Sequence, residues 1–142
     1  MTIVARLLTA TILSALSCVN SATADELPSF KRGFWSFTST VSMQGHNTPQ
    51  VRTMTRCTDP GADIRSKWEM LAGRACKISP VSHIGNRYTY SSTCDKDGTL
   101  LHMSGVITVE DETAYRVETN ARTNQQVSKE VIVARRVGEC PK

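Results

Sequence analysis

The chain reads as a mainly β protein: an antiparallel meander of about seven strands, either a curved sheet or an incomplete barrel, with one short helix and two disulfides. Three observations carry that expectation. Apolar and polar residues alternate with a period of two in segment after segment. Tight-turn residues separate those segments at short, regular intervals. Four cysteines remain once an N-terminal leader is set aside, an even number that fits a disulfide framework.

Residues 1–24 have the layout of a secretory signal peptide. Arg6 supplies the positive n-region, and Leu7 to Leu16 form an apolar stretch interrupted by Thr9, Thr11 and Ser14. Ala22-Thr23-Ala24 fits the small-x-small cleavage pattern. The apolar stretch is too short for a permanent membrane span, so no transmembrane anchor is expected. Cys18, at the end of Ala15-Leu16-Ser17-Cys18, offers a lipoprotein as the weaker alternative. Cleavage after Ala24 leaves residues 25–142 as a single exported domain of 118 residues.

Only 22 of those 118 residues are Leu, Ile, Val or Phe, so the core is thin and covalent support is expected. The net charge is +4, or +3 without Arg6, too small to imply a polyanionic partner, and nucleic-acid binding is not expected.

Residues 33–43 place Trp35, Phe37, Val41 and Met43 on one face and Ser36, Thr38, Thr40 and Ser42 on the other. Gly45-His46-Asn47 turns the chain, and Val51, Thr53, Thr55 and Cys57 are expected to line the inward face of the returning strand. Asp59 then reads as a helix N-cap, with Pro60 at the first helical position. Ile64, Trp68 and Leu71 recur at i, i+4 and i+7 before Gly73 stops the helix, which is expected to cover an open end or edge. Strands over 76–83 and 87–94 form a hairpin through Gly85-Asn86. Asp95-Lys96-Asp97-Gly98 turns into a strand over 99–109, with Leu101, Met103, Ile107 and Val109 on one face. Glu110-Asp111-Glu112 leads to a strand over 113–120, and a polar loop to the last, over 127–137.

Cys76 and Cys94 flank the predicted hairpin at nearly equal distances from its turn, which favours pairing them; Cys57–Cys140 follows by elimination. No C-x-x-C and no paired Cys/His spacing is present, which argues against a metal site or a redox-active pair.

Candidate chemistry is sparse. His46, His83 and His102 have no second histidine at metal spacing. His102 and Ser104 share a strand face without an orienting acid between them, and no G-x-S-x-G elbow is present. Asp95-x-Asp97-Gly98 places its glycine too early for a calcium loop. No catalytic residue, metal or cofactor is therefore assigned, and the protein is not expected to be an enzyme.

The order of landmarks resembles an uncharacterised family of bacterial exported proteins, domain of unknown function 3617. The matching features are Lys31-Arg32-Gly33-Phe34-Trp35 near the mature start, Cys57-Thr58 before a short helix, and Cys76 and Cys94 around a hairpin. Ser104-Gly105 and the closing Ala134-Arg135-Arg136-Val137-Gly138-Glu139-Cys140 complete the set. The resemblance implies a periplasmic or envelope setting in a Gram-negative bacterium and no known catalytic residues.

The leading expectation is a non-catalytic periplasmic module that holds an apolar small molecule or lipid between the sheet and the helix. Trp35, Phe37, Trp68, Tyr88 and Tyr90 are the candidate lining residues, with ordinary core packing as the competing explanation. A pocket of at least ~300 Å³ would favour binding, and a solid sheet–helix interface would not. The alternative is a protein-interaction module, an inhibitor or envelope assembly factor using an edge strand or the helix face. A small hydrolase ranks behind both, since it needs a convergent acid, base and nucleophile.

Overall fold

Turn chemistry and helix capping act where the sequence places them in the computed structural model, which describes residues 27–142. The leader at 1–24, Cys18 included, lies outside the described residues. In chain order the elements are β1 (Gly33–Met43), β2 (Gln50–Thr58), α1 (Pro60–Ala72), β3 (Cys76–Ile78) and β4 (Ser82–Ile84). They continue with β5 (Arg87–Lys96), β6 (Thr99–Asp111), β7 (Ala114–Arg122) and β8 (Val127–Gly138).

All eight strands belong to one sheet in the order β2-β1-β8-β7-β6-β5-β3, with β4 also beside β5. Every pairing is antiparallel. β2 and β3 do not meet, so the sheet is open. Strands β5 to β8 form a plain meander, and β1 then inserts between β8 and β2. The segment expected as one strand over 76–83 is two, β3 and β4, separated around Pro80. Proline lacks the N–H a continuous ladder needs and is tolerated where pairing is interrupted.

Turn chemistry fixes the meander. Asp97 and Gly98 have φ of 54° and 79°, the left-handed pair that a two-residue hairpin loop requires, and Gly98 N–H donates to Asp95 Oδ1 at 2.9 Å. β1 alternates as expected: Trp35 and Phe37 are buried while Ser36 and Thr38 are half-buried on the opposite face.

β2 corrects the sequence reading. Trp35 pairs with Arg56, Phe37 with Met54, Ser39 with Arg52 and Val41 with Gln50. Directly paired residues share a face, so Gln50, Arg52, Met54 and Arg56 point inward, and Val51, Thr53, Thr55 and Cys57 point outward. The long polar side chains occupy the inner face because that face is wet along this edge, and Cys57 turns outward to bond Cys140.

The core lies at one end of the inner face, where Phe30, Trp35, Phe37, Ile107, Tyr115 and Ala134 pack together. Trp35 is 0% exposed, and its indole N–H donates to the Lys31 carbonyl at 3.0 Å. The Phe30 ring packs on Tyr115 at 4.4 Å, and Lys31 N–H donates to the Glu112 carbonyl at 2.8 Å, which ties the segment before β1 to the β6–β7 turn. Both expected disulfides form, Cys57–Cys140 and Cys76–Cys94.

A cavity between the sheet and its helical strap

The helix runs from one edge strand of the open sheet, β2, to the other, β3, and both of its ends are pinned. At the start, Asp59 caps the helix by accepting from Gly61 N–H at 3.0 Å and Ala62 N–H at 3.2 Å. Asp63 accepts from Arg56 and from the Thr58 hydroxyl, each at 2.6 Å, binding the first turn to the end of β2. Cys57–Cys140 lies three residues before Pro60. At the other end, Gly73 caps the last turn and Cys76–Cys94 fastens the following strand to β5. The helix thus crosses from the β2 edge to the β3 edge.

Beneath this strap lies a cavity of about 760 Å³. Ile64, Trp68 and Leu71, the helical stripe read from the sequence, face Ile107, Val117 and Ile132 of the sheet across it. A polar belt interrupts the apolar wall. Register places Glu130 beside Thr119, Thr119 beside Gly105 and Gly105 beside Tyr90. Within it Ser39 Oγ donates to Glu130 Oε1 at 2.6 Å, and the Tyr90 hydroxyl shares a 2.8 Å hydrogen bond with Thr119 Oγ1. The Tyr90 ring lies directly over Gly105, where any Cβ would collide with it. Its other neighbour is Trp68, at 4.8 Å and nearly perpendicular. The Trp68 indole N–H is buried there without a hydrogen-bonding partner. The cavity opens along β2, where Gln50 and Arg52 are exposed and Met54 is 58% exposed, and beside exposed Lys67 of α1.

Two phenols in this wall titrate abnormally. Burial raises the Tyr90 pKa, as does the nearby Glu130 charge, against the opposing hydrogen bond from Thr119. Burial likewise pushes Tyr115 up to about 12, with Asp63 adding to the shift and Arg56 opposing it. A phenol whose folded pKa exceeds its unfolded value of about 10 stabilises the fold fully below pH 10. That contribution is lost as the pH rises from about 10 towards 12. Urea midpoints are therefore expected to fall over this alkaline window, and Tyr115→Phe is expected to flatten the fall. An equally steep fall in the variant would place its cause elsewhere.

Of the five aromatic candidates, Phe37, Trp68 and Tyr90 line the cavity. Trp35 is sealed in the core, 6.3 Å from the Phe37 ring and 5.7 Å from Tyr115. Tyr88 shares the inner face with Tyr90 but stacks on His83 at 4.9 Å, outside the cavity wall. His102 and Ser104 lie on the opposite face of the sheet, where His102 Nδ1 is 3.1 Å from Thr93 Oγ1. No group of three His, Cys, Asp or Glu converges among the described residues. No helix among them is long and apolar enough to cross a membrane.

Sequence reasoning missed Arg52, Met54, Arg56, Tyr115 and Glu130 as cavity residues. The inverted face of β2 explains the first three, and Tyr115 follows from register. Glu130 carried a readable signal: an acid two residues before Ile132 and four before Ala134, on the otherwise apolar face of β8.

Comparison with protein families matches residues 30–140 to Protein of unknown function (DUF3617). Comparison with curated proteins and with solved structures gives no match.

Proposed function

This chain belongs to the DUF3617 family, and we propose that it serves there as a non-catalytic module binding an apolar small molecule or lipid beneath the helical strap. The observation that carries the proposal is the cavity itself. Its volume of about 760 Å³ falls within the roughly 300–1,000 Å³ range of small-molecule sites. Its wall combines apolar side chains with a few placed polar groups, the usual composition of such a site. A thin-cored domain that packed α1 straight onto the sheet would bury more apolar surface. Two disulfides and a capped helix instead hold the space open. The signal-peptide layout and the two disulfides support an exported, periplasmic setting.

Titration with Nile red, a neutral apolar dye, tests the proposal. Saturable one-site binding is expected, with loss of binding in Leu71→Trp, where the larger ring fills the cavity from the helix side while circular dichroism stays unchanged. Undiminished dye binding in the correctly folded variant would remove the cavity as the site.

A further inference from the structure

We infer that the cavity takes an anionic amphiphile, a molecule with an apolar chain and a carboxylate or phosphate headgroup, with the head held at the lip between Arg52 and Lys67. This rests on the cavity being a binding site.

The charges around the opening are unevenly satisfied. Arg56 is paired with Asp63 and also stands over the Phe37 ring at 5.3 Å, so it is already committed to the fold. Asp63 is engaged by Arg56 and Thr58. Arg52 on the strand side of the opening and Lys67 on the helix side form no ion pair among the described residues. Both line the cavity, and both are exposed. An anion between them gains two cationic partners without breaking an existing pair.

The interior sets the rest of the ligand and its direction. Exposed Met54, two residues from Arg52 on the same face, carries the apolar wall out to the lip, and Ile64, Ile107 and Ile132 continue it inward. Glu130, held by Ser39 in the belt, repels a second anion within the cavity and accepts from a hydroxyl or amide. A chain charged at one end therefore enters tail first and leaves its anion at the opening. Two exposed charge contacts of this kind favour the anionic head by about tenfold over a neutral one.

The test displaces Nile red with three twelve-carbon probes below their micelle concentrations: dodecanoate, 1-dodecanol and dodecyltrimethylammonium. Dodecanoate is expected to bind about tenfold more tightly than dodecanol at low salt, with the ammonium weakest. The advantage of the acid over the alcohol should vanish in R52Q/K67Q and shrink at about 0.5 M salt, where screening is strong. Equal affinity for acid and alcohol, or tightest binding of the ammonium, would overturn the headgroup assignment and leave the cavity reading standing. Failure of all three to displace bound dye would overturn the amphiphile assignment alone, whereas absence of saturable dye binding would overturn the cavity reading and this inference with it.

Discussion

Trp35→Ala is expected to cost about 4 kcal/mol of unfolding free energy, the larger of the effects available from one side chain in this domain. Trp35 is fully buried, and it contacts the rings of Phe30, Phe37 and Tyr115 together. Truncation removes that packing, leaves a void in a core of few residues, and orphans the Lys31 carbonyl that accepts from the indole. Domains of this kind have about 5–15 kcal/mol in total, so the variant is expected to stay folded in water with about 1–11 kcal/mol left and to unfold at a much lower urea midpoint. Urea denaturation followed by tyrosine and Trp68 fluorescence measures the loss. A cost below about 1 kcal/mol would show that the ring cluster is not the core that holds β1.

Removing Cys57–Cys140 by a double alanine replacement is expected to cost about 4.5 kcal/mol, against about 3 kcal/mol for removing Cys76–Cys94. The ordering follows from the chain separations of 83 and 18 residues, since the longer loop restricts the unfolded chain more. Thermal melts of the two double variants and of the reduced protein give the comparison. The Cys76–Cys94 variant carries a second expected effect. It frees the chain following α1, so dye affinity should fall more than its stability alone would predict. A larger stability loss at Cys76–Cys94 than at Cys57–Cys140 would contradict the loop-length account.

Much of the fold was legible because local rules and tertiary structure agree. Asp59, Pro60 and Gly73 bracket α1 where capping chemistry places them, and Asp97-Gly98 turns β5 into β6 through left-handed backbone. The cysteine pairing followed from hairpin symmetry. On β2, polarity is a poor guide to which face points inward. Arg52 and Arg56 look outward-facing by composition, yet register with Ser39 and Trp35 turns them towards a space that water also enters. The candidate aromatics divided for a related reason. Alternation assigns Trp35 and Phe37 to one face, but only the position of α1 decides which part of that face is core and which is cavity wall. The break between β3 and β4 lay in Pro80, whose missing N–H interrupts a strand that periodicity alone would continue.

The insertion of β1 between β2 and β8 also sets a timetable for folding. Ser39 and Glu130, hydrogen-bonded across that insertion, are 91 residues apart in the chain. Contacts of such separation are paid for in loop entropy before they return any stability, which makes folding slow. A β1–β2 hairpin can form early, but its Trp35 and Phe37 have no wall until β8 supplies Ala134. Until then one side of β1 is an open, aggregation-prone edge. Cys57 must likewise wait for Cys140. The cavity is consequently among the last features the chain acquires, and a ligand supplied during folding meets no site until the two ends of the domain have joined.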